Sequence, residues 1–413
     1  MKLSEVDLND LDTFEKGTPH EQFKLLRAEA PVYRHAGAPG EEDWWAITKH
    51  EDLKLISKSP QLFSSEEKSA IPRDPDPDSL PMLRLIMLNM DPPKHRVYRA
   101  IINKAFTPRM VHGLEASVDE MVDRIIDNVV EKGECDFVDE LAAPLPMEVI
   151  CEMMGVPEED RRGIYELANQ MVGFDDPEYS DGKPQKMGHN DGEAASAEMF
   201  MYAAKLAEKA RAHPGDDLAT ALLNAEVDGQ KLTEMEFNSF FLLLAVAGNE
   251  TTRTVTTNGM LDLIKHPDQR QLVLDDMSLV DSAVEEILRH EPAVHAFRRT
   301  ALADTEIRGV PIAEGDKLLI WYPSVNRDED VFEDADVFDV RRSPNDHLSF
   351  GVGEHFCLGA NLARMELRKI FRGLLTRLPD IELAAEPRRL RSNFINGVKE
   401  MQVRFTPGPK STA

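Results

Sequence analysis

HLSFGVGEHFCLGANLARMELR, residues 347–368, is the stretch whose reading decides the fold. A short loop, Phe350 to Phe356, leads into Cys357, and an apolar helical period follows it. A cysteine just ahead of a helix faces unpaired N–H groups and the positive end of the helix dipole, and both favour thiolate over thiol. Amide donors aimed at a sulfur also tune any metal it holds. Gly353 supplies a position free to take positive φ. Gly359, two residues past the sulfur, lets the helix approach a flat bound group without a Cβ clash, and Phe350 is placed to pack on that group and shield the sulfur. An isolated cysteine is more often a small buried apolar residue, but the loop around Cys357 reverses that weighting.

The 413-residue chain is 42% hydrophobic and 30% charged, which suits a globular protein with a large core. Its net charge of −27 argues against nucleic acid or an anionic membrane as partner, because both need a cationic surface. The longest apolar run, FFLLLAVA at Phe240 to Ala247, is far too short to span a bilayer. The start, MKLSEVDLND, has no basic-then-apolar pattern, so no secretory signal is expected. Three cysteines, Cys135, Cys151 and Cys357, make no disulfide framework and fit a reducing, cytoplasmic setting. One domain over residues 1–413 is expected.

Helical periodicity dominates the middle of the chain. His112 to Gly133 and Glu198 to His213 read as helices, and Thr233 to Pro267 as the longest. Thr233 with Glu236 forms a capping-box start, Pro267 an end, and the apolar centre sends this helix through the core. Strand signals are short: Pro31 to Thr48, Thr305 to Tyr322, and the closing MQVRFTPG. Ser64 to Ser79 and Phe174 to Ala194 read as surface loops or lids. The expected class is mainly α with small β-sheets, the strands forming a small region near the N-terminal part.

Three further constellations carry chemistry. In the apolar core helix, Ala247-Gly-Asn-Glu-Thr-Thr252 places an acid, Glu250, beside a hydroxyl, Thr251, where a carboxyl without a partner is costly. Glu286 and Arg289 lie three residues apart on one helix face. In Asp91-Pro-Pro-Lys-His95-Arg-Val-Tyr-Arg99, the prolines can start a helix that carries His95 and Arg99 one turn apart, a spacing suited to a carboxylate.

Phe-Gly-Val-Gly-Glu-His-Phe-Cys-Leu-Gly resembles the haem-binding loop of the cytochrome P-450 family at Phe350, Gly353, Cys357 and Gly359, and the resemblance extends over nearly the whole chain. It implies haem b (iron protoporphyrin IX) ligated by Cys357, between the core helix and the helix after the cysteine. His95, Arg99, Arg299 and His355 match the family's propionate contacts, while His347 is read as a brace for the loop. Glu250 and Thr251 match its acid–alcohol pair, Thr251 holding the oxygen being reduced and Glu250 taking part in proton delivery. Glu286, Arg289 and Arg342 match a structural charge cluster.

The implied activity is monooxygenation: insertion of one atom of O2 into a lipophilic molecule of terpenoid, steroid or fatty-acid/alkyl type. The expected pocket walls are Ile71 to Leu88, Leu243, Leu244 and Ala247, Val294 to Phe297, and Phe394 to Asn396, mostly apolar and adaptable where methionine-rich. The chain carries no flavin or iron–sulfur module, so the resemblance implies a separate ferredoxin and its reductase, docking on Arg96, Lys104, Arg109 and Arg364. Two rivals use the same haem: a peroxide-driven hydroxylase and a non-catalytic sensor or ligand carrier. Glu250 and Thr251 argue against both. A metal-free helical interaction protein, with Cys357 as buried packing, is a third.

Overall fold

The long apolar segment forms a 32-residue helix, Glu234–Lys265, that runs through the middle of the molecule. The structure, a computed structural model, describes residues 1–172, 176–178 and 191–411. Seven helices position the site: α1 (Lys94–Ala105), α2 (Glu115–Asp127), α3 (Pro144–Met154), α4 (Asp191–Ala212), α5 (Glu234–Lys265), α6 (Val280–His290) and α7 (Ala360–Arg377). The expected capping box starts α5: the Glu236 N–H donates to Thr233 Oγ1 at 3.3 Å, and the Thr233 N–H donates to Glu236 Oε2 at 2.9 Å. α5 packs against α3, α4, α6 and α7. At Gly259 the approach is close enough that a Cβ would lie 2.6 Å from Ile287 of α6 and 2.7 Å from Phe371 of α7. The main apolar core gathers around this helix, and its members run from Met87 to Phe405.

Beside the helices lies a five-stranded sheet. Its strands are β1 (Val32–His35), β2 (Trp44–Ile47), β3 (Phe63–Ser64), β4 (Ala296–Ala301) and β5 (Lys317–Trp321), in spatial order β1-β2-β5-β4-β3. β2 and β5 pair in parallel, with Trp44 opposite Lys317; the other pairs are antiparallel. Three small sheets complete the β structure, and the closing strand is Gln402–Arg404.

Three expectations need correcting. The β region is not confined to the N-terminal part, because β4 and β5 come from residues 296–321 and are two of the sheet's three interior strands. β4 escapes pattern reading because its sequence, AFRRTA, carries two arginines, both buried here. The segment His112 to Gly133 is not one helix: a short helix, Pro108–Gly113, ends at Leu114 and α2 begins at Glu115. Of the loop Phe174 to Ala194, residues 174–175 and 179–190 lie outside the described residues, and α4 already starts at Asp191. Among the described residues, no helix is long and apolar enough to cross a membrane.

Candidate active site

Cys357 ends a loop that folds back on itself. Its N–H donates to the Phe350 carbonyl at 2.9 Å. Gly351 and Gly353 have φ of +69° and +77°, and a Cβ on Gly353 would lie 2.5 Å from the Ser57 carbonyl oxygen. The turn therefore needs glycine at 353 for conformation and for space. Burial pushes the Cys357 thiol up, while the Gly359 N–H aimed at the sulfur and the charges of Arg99 and Arg364 pull it down. The helix end alone does not deliver a thiolate, contrary to the simplest sequence reading. A metal cation on the sulfur would supply the missing stabilisation. Nothing lies within 4 Å of where a Cβ on Gly359 would sit, so the first turn of α7 faces open space.

Above the loop, four basic side chains crowd one side of this space. His95 is buried, its Nδ1 has no hydrogen-bond partner, and its ring centroid lies 4.3 Å from that of His355. Arg99 follows one turn along α1. Arg299, on β4, is 6% exposed and donates to the Arg298 carbonyl at 2.7 Å. His355 is pushed down to about 2 by burial and by Arg299, His95 and Arg99. The nearest carboxylate to His95 Nδ1 is Glu354, at 4.0 Å. Such crowding is unfavourable until an anion enters. A flat group bearing carboxylates fits this cradle, with a soft metal over Cys357.

The loop is braced from below. Arg364 of α7 donates to both oxygens of Glu285 at 2.7 and 2.8 Å, and its guanidinium sits 4.5 Å from the Phe350 ring centroid. His347 Nε2 lies 3.0 Å from the same carboxylate. One residue on, Glu286 and Arg289 are fully buried and joined by two bonds of 2.8 Å. Arg342 Nε adds contacts at 3.1 and 3.2 Å, and Asn345 a bond at 3.1 Å. This is the expected structural cluster, and none of its members lines the cavity.

That cavity, of about 260 Å³, brings together Cys357, His95, Arg99, Arg299, Phe350, His355, Gly359 and Thr251. Thr251 Oγ1 donates to the Ala247 carbonyl one turn back at 2.7 Å. Glu250 does not line the cavity. It is 3% exposed, one oxygen accepts from Arg253 Nη2 at 2.5 Å, and Oε1 has no hydrogen-bond partner.

The cytochrome P450 family model matches residues 10–379. The chain belongs to the cytochrome P450 family. A steroid C26-monooxygenase of Rhodococcus jostii is 40% identical over 408 residues, covering 97% of this chain and 84% of that one. A methyl-branched lipid omega-hydroxylase of Mycobacterium bovis is 39% identical, covering 98% and 95%. Among solved structures, a Mycobacterium marinum cytochrome P450 in complex with pseudoionone superposes with a TM-score of 0.89 at 37% identity, covering 97% and 98%. The P450 is a monooxygenase, and its family carries haem.

Within this P450, the expected pocket walls are met in part. Met87, Leu88, Leu243, Leu244, Ala247, Val294 and Phe297 line the cavity. Met82 is instead 48% exposed, and Phe394 backs Phe297 at 5.9 Å without reaching the lining. Sequence reading missed Ile150 of α3, Phe240, and Glu366 of α7. Phe240 was findable, because it stands one turn before Leu243 and Leu244. Ile150 depends on how α3 crosses α5, and no local pattern shows that.

The expected docking cations differ in how they are engaged. Arg364 is held by Glu285, Arg96 by Glu354 at 2.5 and 3.0 Å, and Lys104 by the Glu226 carbonyl. Arg109 is exposed and has no ion pair among the described residues.

Proposed function

We propose that this P450 holds haem b through Cys357 and hydroxylates a lipophilic small molecule, using O2 and electrons from a ferredoxin and its reductase. The carrying observation is the cavity in which four crowded basic groups and an accessible cysteine meet an apolar wall. His95, Arg99, Arg299 and His355 bind the two propionates and lose their mutual repulsion. Cys357 ligates the iron, with the Gly359 N–H directed at the sulfur and Phe350 covering it. Haem, when bound, supplies the iron at which dioxygen is activated.

The chain's own residues then orient substrate and move protons. Thr251 Oγ1, on releasing the Ala247 carbonyl, would hydrogen-bond in the cavity, and Glu250, on turning from Arg253, would hold and pass protons beside it. Such a relay serves oxygen reduction and has no use in a peroxide-driven enzyme or a sensor. Leu243, Leu244, Val294 and Phe297 exclude water and hold an apolar substrate, and Ala247 leaves room for it. The relatives' activities, steroid C26-monooxygenation and omega-hydroxylation of methyl-branched lipids, favour a branched alkyl terminus as the oxidised part. Residues 1–413 are read as one domain: the main apolar core joins α1 to the closing strand, and smaller apolar clusters join the N-terminal segments to β4 and β5.

The test is a visible spectrum of the haem-loaded protein during titration with sterols, terpenoids and branched fatty acids. Displacement of water by a ligand is expected to shift the haem band towards high spin. A shift with sterol or branched alkyl compounds supports the reading. Absence of a haem band after haem is supplied during expression overturns it.

A further inference from the structure

After β3 the chain leaves the sheet, and before α1 it supplies Met87 and Leu88 to the cavity wall. Asn89, the next residue, is buried and does not line the cavity. Its Oδ1 accepts two bonds, from the Ala70 N–H at 2.9 Å and from Ser69 Oγ at 3.1 Å. Its Nδ2 donates to the Leu83 carbonyl at 3.0 Å. Ala70 is held on its other side too, because its carbonyl accepts from the Arg298 N–H of β4 at 2.7 Å. Arg298 stands between Phe297 and Arg299, both of which line the cavity. One buried residue, Ala70, therefore ties the Met87–Leu88 wall to the strand that carries Phe297. The sheet side of this clasp is firm: Asp74 Oδ1 accepts from Arg298 Nη1 at 2.5 Å and from Lys317 Nζ at 3.0 Å. The wall side is built from two single turns, Leu80–Leu83 and Met87–Asn89, too short to be rigid alone. Arg84 ties the first turn to the Glu66 and Glu67 carbonyls, and Asn89 is the tie that adjoins Leu88. Ser69 has φ of +72°, a left-handed conformation costly for a residue other than glycine, and such strain gathers where geometry matters.

We propose that Asn89 is a positioning residue for the substrate: by clasping Ala70 it fixes Met87 and Leu88 relative to β4, and so sets which carbon of an alkyl chain is oxidised. The proposal rests on the monooxygenase reading above and adds the source of its regioselectivity. An alkyl chain offers no hydrogen bond by which to fix its depth, so adjacent carbons are told apart by the shape of the wall alone. Misplacement by about 1 Å, from a change remote from the chemistry, can cost 10²-fold in rate. A shift of that size in Leu88 redistributes oxidation among neighbouring carbons.

The test uses haem-loaded protein, a surrogate ferredoxin with its reductase, and two probes: cholesterol and a terminally methyl-branched fatty acid. Asn89→Ala removes the clasp, Asn89→Asp keeps the acceptor for Ser69 and Ala70, and Ser69→Gly removes one donor while easing the backbone. N89A is expected to move the ratio of terminal to internal hydroxylation about tenfold towards internal carbons, and to weaken binding of both probes. N89D restores most of the ratio, and S69G shifts it in the same direction as N89A by a smaller factor. A side chain that only stabilises the loop lowers Tm and leaves the product ratio as in wild type. That result overturns the proposal, as does an Asp variant with the ratio of the Ala variant. If N89A does not fold, S69G decides by the same ratio. Hydrogen exchange judges the clasp without any substrate: the amides of residues 87–89 and of Arg298 are expected to exchange about tenfold faster in N89A. Unchanged exchange at either place overturns the proposal. A wild type that binds haem but oxidises neither probe breaks the monooxygenase reading instead, and the exchange result still judges Asn89.

Discussion

The thiols of Cys135 and Cys151 are pushed up to about 12 by burial, so both are inert packing. Cys357 is raised by burial too, but it alone has an N–H aimed at it and two arginines nearby. That difference makes the haem-thiolate assignment testable one residue at a time. Cys357→Ala is expected to abolish the thiolate signature of the carbon-monoxide complex, while Cys135→Ala and Cys151→Ala keep it; a visible spectrum of each variant decides. At Thr251, removal of the hydroxyl leaves the cavity walls in place and takes away only a hydrogen-bonding group. Thr251→Ala is expected to bind substrate as wild type does but yield about tenfold less product per NAD(P)H, a modest share of the 10²–10⁴ typical of positioned proton donors. Oxygen consumption measured against product formed checks this, and unchanged coupling would remove Thr251 from the relay.

At the scale of elements, the loop before Cys357 depends on a bracket that spans α6, α7 and residues 347–350. Glu285 is its hub, with Arg364 and His347 as partners, and they hold its carboxyl down to about 2 against an ordinary 4.5. The folded value lies below the unfolded one, so the bracket's contribution is fully present above about pH 4.5 and is lost as pH falls towards 2. Two and a half pKa units correspond to about 3 kcal/mol, discounted to roughly 2 for partial exposure. Glu285→Gln is expected to lower thermal stability at pH 7 by about that amount, and the gap from wild type closes in acid. Differential scanning calorimetry across pH reads both. The bracket also shows which parts of the fold are legible in sequence. Cys357, Gly353 and Gly359 were legible because one loop specifies a sulfur, a turn and an open face within ten residues. α5 was legible because its cap and its apolar centre agree. Glu285 was not, since a glutamate beside Glu286 reads as ordinary surface charge until α7 brings Arg364 against it. β4 was hidden for the opposite reason: Arg298 and Arg299 are buried by partners distant in sequence, Asp74 for Arg298 and the cavity for Arg299. Glu366 sits on a helical period that counts it as polar, and only the packing of α7 on α5 shows that it faces inward.

Across the whole molecule, a net charge of −27 sets how an electron donor can approach. An acidic ferredoxin is repelled at long range, so productive docking has to use local positive potential on the cysteine side. Most cations expected there are already engaged, as Arg96 is by Glu354 and Arg364 by Glu285. Arg109 stands apart. It is exposed on the short helix Pro108–Gly113, which packs against α7, and Phe356, one residue before the sulfur, is 43% exposed. A small apolar tip together with a cation that is unpaired among the described residues is a usable docking spot, whereas a cation already paired offers little net attraction. Arg109→Glu is therefore expected to slow reduction by an acidic ferredoxin about tenfold at low salt, through a lower association rate. Arg364→Glu is expected to act differently, loosening the Glu285 bracket and the cover over Phe350 at any salt concentration. Screening separates the two: near 1 M salt the Debye length is about 3 Å, so the Arg109 effect should vanish while the Arg364 effect persists. Stopped-flow reduction of the haem at two salt concentrations measures this. Equal rates for Arg109→Glu and wild type at low salt would move the docking site elsewhere on the surface.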